Sequence, residues 1–193
     1  MKKQPEVTEK TRQRFVDAFW ELAEKKPVSK ITVSELTRLA GYNRSTFYEY
    51  FLDTFDLLSY VEDRLIGNVK QVALQTLQSD KSTKDFFRTI FMSMNEEIYL
   101  LAGPNGDSGF IEKVSKELSP YVSGYLPIRD DFENYDYLVS FVNSAMLGML
   151  KHWYKKNKNL TAEEMSDMMQ MLMLNGALGY IQANSSSENN RNA

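Results

Sequence analysis

The sequence of 193 residues predicts an all-α protein, and three observations support this fold class. Apolar residues recur three and four positions apart along the chain, which is the spacing of one face of a helix. No segment alternates between apolar and polar residues for long enough to predict a strand. Glycine, proline and capping residues separate the helical segments from one another. We therefore expect consecutive helices without a sheet.

Two helices are predicted in the first forty residues. The first extends from about Thr8 to a point before Pro27, because proline lacks the N–H that a helix interior requires. The second begins at Thr32, which forms a capping-box pattern with Glu35 three residues later. It ends before Gly41, a residue that adopts the left-handed conformation of a helix end without a steric cost. These signals predict two helices joined to a third by a tight corner.

The third helix follows Asn43, a favourable N-cap residue, and ends near Phe51. Phe47 and Phe51 lie four positions apart, so both are expected to face the core. A longer fourth helix begins near Thr54 and ends near Ser79, with an apolar stripe along its length. The chain thus opens with three short helices and continues into a long one.

Four further helices are predicted in the remainder of the chain. The fifth extends from Thr83 to about Leu101 and ends at a glycine-rich segment, 103–109. A short sixth helix begins near Phe110 and is stopped by Pro120. Two long helices follow at roughly 131–157 and 162–183.

The composition indicates a soluble globular protein, with 42% hydrophobic and 25% charged residues. The chain has no cysteine, which excludes disulfides and thiolate metal sites and fits a reducing cytoplasm. The basic amino terminus leads into no apolar stretch, and no apolar run is long enough to span a bilayer. We therefore expect a cytoplasmic protein with neither a secretory signal nor membrane contact.

The front of the third helix carries side chains that suit the reading of double-stranded DNA. Arg44, Ser45, Thr46 and Tyr48 are donors and acceptors at the end of a helix that could enter the major groove. Backbone N–H groups at a helix N-terminus favour phosphate, so Thr32 could contact the DNA backbone while capping its helix. The alternative is an ordinary helical hairpin in which the same residues serve only as caps. Spacing alone leaves both interpretations open.

The distribution of charge favours the DNA interpretation, although the net charge is −3. Residues 1–50 carry a balance of +3, whereas the rest of the chain carries −6. A basic end on an acidic body is expected when one end meets phosphate, but a chance fluctuation of a few charges gives the same result. Lys25, Lys26 and Lys30 could add phosphate contacts. Glu49 is discordant, because DNA repels a carboxylate unless it accepts from a cytosine amino group.

The segment from Ile31 to Phe51 resembles the amino-terminal domain of the TetR family of bacterial transcriptional regulators. The resemblance rests on Ala40-Gly41, on Thr46-Phe47-Tyr48 and on Tyr50-Phe51, and it covers roughly residues 8–60. It implies an all-helical homodimer whose two recognition helices enter successive major grooves of a palindromic operator. It also implies a repressor that a small-molecule effector controls.

The same resemblance implies individual roles for the residues of the third helix. Thr46 and Tyr48 would face DNA, and Tyr50 would contact phosphate. Arg44 and Ser45 stand at the variable positions that set sequence preference.

Two positions depart from the family pattern. Thr54 stands where a phosphate-contacting lysine is usual, so the implied DNA affinity is lower and less dependent on salt. Thr37 stands where alanine is usual, which is a mild change. The missing lysine and the net acidity motivate an alternative function, a co-regulator that acts mainly through a protein partner with weak direct DNA contact.

The carboxyl-terminal two thirds are rich in aromatic residues and methionine, and nine of the ten methionines lie after residue 90. Such side chains suit an adaptable effector pocket, but they also suit an ordinary core or a dimer interface. The residues that we select for an effector pocket are Phe87, Phe91, Met94, Tyr125 and Phe141.

The last two helices carry small residues among apolar ones, which allows neighbouring helices to approach closely. In TetR-like regulators the final two helices form the dimer. The region around His152-Trp153-Tyr154 also resembles the carboxyl domain of a TetR-like subgroup from low-GC Gram-positive bacteria. The predicted interface residues are Ala145, Gly148, Met149, Met168, Leu172, Gly176 and Gly179.

Catalysis is not expected. His152 is the only histidine, and no recognisable nucleophile motif lies near it. We therefore predict no catalytic residue, no metal site, no cofactor and no enzyme activity. The predicted domains are a DNA-binding domain at 1–52, an effector-binding and dimerisation domain at 53–183, and a disordered tail at 184–193.

Overall fold

The computed structural model describes residues 5–79, 83–93, 95–125, 134–173, 175–176 and 179. Within these ranges every regular element is a helix, which confirms the predicted all-α class. None of the described helices is long and apolar enough to cross a membrane. The helices are α1 (Pro5–Ala23), a 3-10 turn (Val28–Lys30), α2 (Val33–Ala40), α3 (Arg44–Tyr48), α4 (Thr54–Gln78), α5 (Thr83–Met92), α6 (Glu96–Ala102), α7 (Phe110–Tyr125), α8 (Tyr135–Lys155) and α9 (Ala162–Met173).

The chain forms two compact units. The first comprises Met1–Gly67 and Glu96–Phe110, and the second comprises Asn68–Asn95 and Ile111–Ala193. Because α4 runs from Thr54 to Gln78, its first part belongs to one unit and its second part to the other. The predicted functional boundary after residue 52 stays a prediction, since packing units and functional domains need not coincide. The predicted disordered tail, 184–193, lies outside the described residues.

The first unit is built around Phe15 of α1. The ring of Phe15 lies 5.3 Å from the ring of Phe47 in an edge-to-face arrangement, and 6.4 Å from that of Phe51. Leu36 of α2 is fully buried, as are Phe15 and Phe47. The prediction that Phe47 and Phe51 face the core is confirmed. This aromatic cluster fixes the short α3 against α1.

Side chains of opposite charge connect the helices of the second unit. Lys70 of α4 donates to Glu117 of α7 at 2.6 Å, and Lys151 of α8 pairs with Glu112 of α7. The first pair raises the pKa of Lys70 and lowers that of Glu117. Because both pairs are partly exposed to water, each is expected to contribute little to the stability of the fold. In the same unit α5 packs against α9.

The prediction of a single fifth helix is wrong, because two helices, α5 and α6, cover the predicted range. The break falls around Ser93, whose hydroxyl donates to the carbonyl of Ile90 at 2.7 Å. Asn95 follows immediately before α6. The side chains of serine and asparagine can hydrogen-bond to the backbone and so compete with the hydrogen bonds of a continuing helix. The spacing of apolar residues carries no information about this competition.

The prediction that Pro120 stops the sixth helix is also wrong, because α7 continues through it to Tyr125. Proline removes one helical hydrogen bond and crowds the carbonyl four residues earlier, here that of Lys116. Pro120 and Lys116 are both exposed, so water can satisfy that carbonyl. Val114 and Leu118 bury the opposite face of the helix.

The ends of two other helices differ from their predicted positions. Helix α1 begins at Pro5 rather than near Thr8, and α3 ends at Tyr48 rather than near Phe51. The amides of Tyr50 and Phe51 both donate to the carbonyl of Phe47, which tightens the chain after α3 into a turn. The described part of α9 is Ala162–Met173, and the predicted end of this helix, at residue 183, lies outside the described residues.

Candidate nucleic-acid interface

A complete capping box starts α2. The amide of Glu35 donates to the Thr32 hydroxyl oxygen at 3.4 Å, and the amide of Thr32 donates to the Glu35 carboxylate at 3.1 Å. The Thr32 hydroxyl also donates to that carboxylate, at 2.7 Å. A phosphate that approached Thr32 would therefore compete with Glu35 for its donors.

Lys26 belongs to the same cluster. Its ammonium group donates to both carboxylate oxygens of Glu35 at 2.6 Å and to the carbonyl of Lys30 at 2.8 Å. Lys25 pairs with Glu21 at 2.7 Å. Two of the three lysines that the sequence offered for phosphate contact thus have carboxylate partners, and the third, Lys30, is exposed.

We predict that protonation of Glu35 at acid pH lowers the stability of the protein. The hydrogen bond from Lys26, followed by that from the Thr32 hydroxyl, lowers the pKa of Glu35 from 4.5 to about 2. The folded-state pKa is depressed, so the stabilisation is complete above pH 4.5 and is lost as the pH falls toward 2. In urea titrations at a series of pH values, Glu35→Gln should show a shallower fall in the free energy of unfolding than the parent chain. Glu24→Gln, which removes an exposed carboxylate after α1, is the control, and an equal effect of both variants would contradict the prediction.

Gly41 forms the corner between α2 and α3. Its φ is 75° and its ψ is 28°, and its amide donates to the carbonyl of Thr37. No atom lies within 4 Å of the position that a Cβ would take, so glycine is required by the backbone conformation and not by crowding. Other residues pay about 1–2 kcal/mol in this region. The sequence predicted this corner correctly.

Thr37 fits inside α2, although the resemblance to the TetR family predicts alanine at this position. It is buried, and its hydroxyl donates to the carbonyls of Val33, at 2.9 Å, and Ser34, at 3.2 Å. The hydroxyl is therefore satisfied within its own helix and makes no contribution to a DNA surface.

Asn43 organises the front of α3. Its side-chain oxygen accepts from the amide of Thr46 at 2.9 Å, from the Ser45 hydroxyl at 2.6 Å and from the Thr46 hydroxyl at 3.0 Å. The two hydroxyl protons are therefore directed at Asn43, and the lone pairs of these oxygens are left to accept from a base or a bridging water.

Arg44 and Tyr48 form the outward face of α3. Both are exposed, and the guanidinium group of Arg44 lies 3.5 Å from the Tyr48 hydroxyl. One turn of helix separates them, and Asn43 caps the helix that carries them. The structure therefore places the two predicted readers side by side on a fixed support.

Tyr50 belongs to a stacked cluster that the sequence did not predict. The guanidinium carbon of Arg12 lies 5.9 Å from the centre of the Tyr50 ring and 5.6 Å from that of Tyr60. Arg64 lies 5.7 Å from the centre of the Tyr60 ring on α4 and also donates to Gln13 at 3.0 Å. Cation–π contacts of this kind join α1, the turn after α3 and α4, and no local sequence pattern connects residues so far apart.

Carboxylates occupy the start of α4, where Thr54 replaces the expected lysine. Asp53 accepts from the amides of Phe55 at 2.8 Å and Asp56 at 2.9 Å, and Asp56 accepts from the amide of Leu52 at 2.8 Å. Phosphate would have to displace protein carboxylates from these amides. Leu52 and Phe55 are exposed by 81% and 66%. The start of α4 thus offers acidic and apolar groups instead of positive charge.

Most of the predicted effector pocket cannot be located. Residue Met94 and the side chains of Phe87, Phe91 and Tyr125 lie outside the described part of the chain. Phe141, on α8, is exposed. The structure therefore leaves this pocket as a prediction.

The predicted dimer residues lie on α8, on α9 and just beyond α9. Ala145 and Met149 are half-buried, whereas the other five are exposed: Gly148, Met168, Leu172, Gly176 and Gly179. A Cβ added to Gly176 would lie 3.9 Å from the ring of Phe141, which is ordinary contact. His152 is exposed, and no metal-binding group of His, Asp and Glu occurs among the described residues.

Comparison with known proteins gives a family and a fold. Residues 67–175 match the family model described as "Transcriptional regulator C-terminal region". No curated protein matches the chain significantly.

Solved structures of regulators share the fold over nearly the whole chain. A TetR transcriptional regulator from Streptococcus agalactiae is 24% identical, with a TM-score of 0.69, and the match covers 87% of this chain and 96% of that one. The fatty acid degradation regulator FadR from Bacillus halodurans is 13% identical, with a TM-score of 0.68 and coverage of 91% and 98%. FadR from Thermus thermophilus, described as a TetR-family transcriptional repressor in complex with lauroyl-CoA, is 18% identical, with a TM-score of 0.56 and coverage of 86% and 94%.

Proposed function

From the premise that the chain belongs to the TetR family of transcriptional regulators, we propose that it binds a palindromic DNA operator as a homodimer and represses transcription. Members of this family are transcriptional regulators and not enzymes. The observation that carries the proposal is the exposed pair of Arg44 and Tyr48 on a capped helix whose inner face is buried. A helix held in this way can present two side chains to base edges with little ordering cost.

The individual DNA contacts that we propose follow from this geometry. Arg44 and Tyr48 would read bases, and the oxygens of Ser45 and Thr46 would accept from base or water donors. The remaining proposed contacts, which would bind the sugar–phosphate backbone, are Thr32, Tyr50 and Thr54.

Substitution of the readers tests the proposal. Arg44→Ala is expected to weaken operator binding by about 1–3 kcal/mol and to relax the preference for one base pair, because a base contact carries sequence information. Tyr48→Ala is expected to act in the same direction. Fluorescence anisotropy with DNA from upstream of its own gene measures both effects. Lys155→Ala, which removes a positive charge from the end of α8, is the control and should bind as the parent chain does.

The interface that we propose for the dimer lies on α8 and α9. Large apolar side chains are exposed there, including Tyr137, Phe141, Met168, Met171 and Leu172. The small residues Gly148 and Gly176, also exposed, would allow two copies to approach closely. In the proposed complex, each of the two chains would insert its α3 into one of two successive major grooves.

We also propose that the carboxyl domain binds a small-molecule effector and that the protein acts in the cytoplasm. The family assignment and the abundance of aromatic residues and methionine support an effector. The Thermus relative was solved with lauroyl-CoA, so lauroyl-CoA is a reasonable first probe. Release of the operator in its presence, but not with free CoA, would support this class of effector.

The start of α4 favours a second candidate function, a co-regulator that acts mainly through a protein partner. Asp53 and Asp56 occupy the amides there, and Leu52 and Phe55 are exposed beside them. The double variant Arg44→Ala with Tyr48→Ala separates the two functions. Regulation in cells that survives this double change would favour the protein partner over direct DNA reading.

A further inference from the structure

The glycine-rich loop between α6 and α7 packs against the connection between α1 and α2. The amide of Val28, in the 3-10 turn, donates to the carbonyl of Asn105 at 2.8 Å. The Val28 side chain is buried. This hydrogen bond links residues 77 positions apart, whereas the sequence suggested only that 103–109 ends a helix.

Gly106 holds this loop tightly on α6. A Cβ at Gly106 would lie 1.9 Å from the carbonyl oxygen of Leu101 and 2.5 Å from that of Leu100, both backbone atoms. The amide of Gly106 donates to the carbonyl of Gly103 at 3.1 Å, which closes the turn. Only glycine fits there without a shift of the loop. The carbonyl of the neighbouring Asn105 is therefore presented from a fixed support.

The 3-10 turn connects the Val28–Asn105 hydrogen bond to the start of α2. The amide of Ile31 donates to the carbonyl of Val28 at 3.1 Å, and the Ile31 side chain is buried. The next residue, Thr32, is the N-cap of α2. The ammonium group of Lys26 also donates to the carbonyl of Lys30, the last residue of this turn. The Val28–Asn105 bond thus lies four residues before the start of the capping box.

We propose that the loop Gly103–Gly109 is a positioning element for DNA binding, and that Asn105 and Gly106 are its positioning residues. The inference rests on the proposed function, because it assigns the α2 N-terminus a place in the DNA surface. The loop and α6 before it belong to the first unit, whereas α5 and the part of α7 after Phe110 belong to the second. The loop is therefore a second covalent route, besides α4, from that unit to the helices of the DNA surface.

The matched pair Gly106→Ala and Gly109→Ala tests the proposal in the full-length protein. The Cβ of Gly106→Ala meets backbone at 1.9 Å, whereas that of Gly109→Ala meets only a side-chain oxygen of Asp107 at 3.5 Å. Loss of one backbone hydrogen bond predicts about tenfold faster hydrogen exchange at Val28 and at the first turn of α2 in Gly106→Ala. Operator affinity should fall by about tenfold in that variant and stay at the parent value in Gly109→Ala.

A second pair keeps the proposal testable if Gly106→Ala does not fold. Val28→Pro removes the donor at a position where proline is tolerated, whereas Val28→Ala keeps the donor and shortens the same side chain. Val28→Pro should bind the operator about tenfold more weakly than Val28→Ala. Equal affinity of these two folded variants, or unchanged exchange in Gly106→Ala, would overturn the positioning role. A parent chain that binds no specific DNA would instead overturn the proposed function, and the exchange experiment would still decide whether the loop stabilises the start of α2.

Discussion

Phe47→Ala is expected to lower the free energy of unfolding by about 3–5 kcal/mol, the usual cost of removing a fully buried phenylalanine. The Phe47 ring lies at the centre of the first unit, 5.3 Å from Phe15 and 5.6 Å from Phe51. Its removal leaves a cavity between α1 and α3, and the five-residue α3 has too few internal hydrogen bonds to persist alone. Operator binding should therefore be lost together with stability.

Urea denaturation followed by circular dichroism measures this effect, and Tyr48→Ala is the control. Tyr48 is the next residue on the same helix, but half of its side chain is exposed. Its removal should cost less than about 1 kcal/mol of stability while it weakens DNA binding. Similar stability losses for the two variants would contradict the division of α3 into a buried support and an exposed reading face.

Met171→Glu is expected to convert the proposed dimer into monomers. Met171 lies on α9 three residues after Met168 and one before Leu172, and it is exposed by 65% in the single chain. A carboxylate in an apolar interface costs about 2 kcal/mol or more, and two-fold symmetry applies this cost twice. The dissociation constant of the dimer should therefore rise by about a thousandfold, and operator affinity should fall with it.

Met92→Glu is a closely matched control, because Met92 of α5 is exposed by 66% and lies outside the predicted interface. Sedimentation equilibrium of the parent chain and both variants measures the effect. A Met171→Glu protein that stays dimeric, or a Met92→Glu protein that dissociates equally, would place the interface elsewhere.

The features that the sequence predicted correctly depend on residues close together in the chain. Thr32 and Glu35 are three residues apart and form the predicted capping box, and Gly41 has the predicted left-handed conformation. Phe47 and Phe51 are buried as their spacing indicated. Short-range backbone chemistry determines each of these features, so a local pattern is sufficient to find them.

The features that were missed depend on contacts between distant residues or on solvent exposure. The Lys26–Glu35 pair engages a lysine that was predicted to contact phosphate, and the stacking of Arg12 joins α1, the turn after α3 and α4. The passage of α7 through Pro120 depends on the exposure of that face. Each outcome follows from tertiary packing, which periodicity and capping signals do not encode.

We expect the affinity of the protein for DNA to depend only weakly on salt concentration. Lys25 and Lys26 are paired with carboxylates, and Thr54 carries no charge. These three positions are therefore expected to neutralise fewer phosphates, and each phosphate contact that is absent makes the slope of log affinity against log salt shallower by about 0.9. Base contacts by Arg44 and Tyr48 would then supply a larger share of the affinity.

The most direct measurement is a titration of the purified chain against two DNA duplexes of equal length and composition. One duplex carries the palindrome upstream of its own gene, and the other carries the same bases in scrambled order. We predict a complex of two chains per palindrome whose affinity exceeds that for the scrambled duplex by about a thousandfold or more. Equal affinities for the two duplexes at low and physiological salt would contradict sequence-specific DNA binding by this protein.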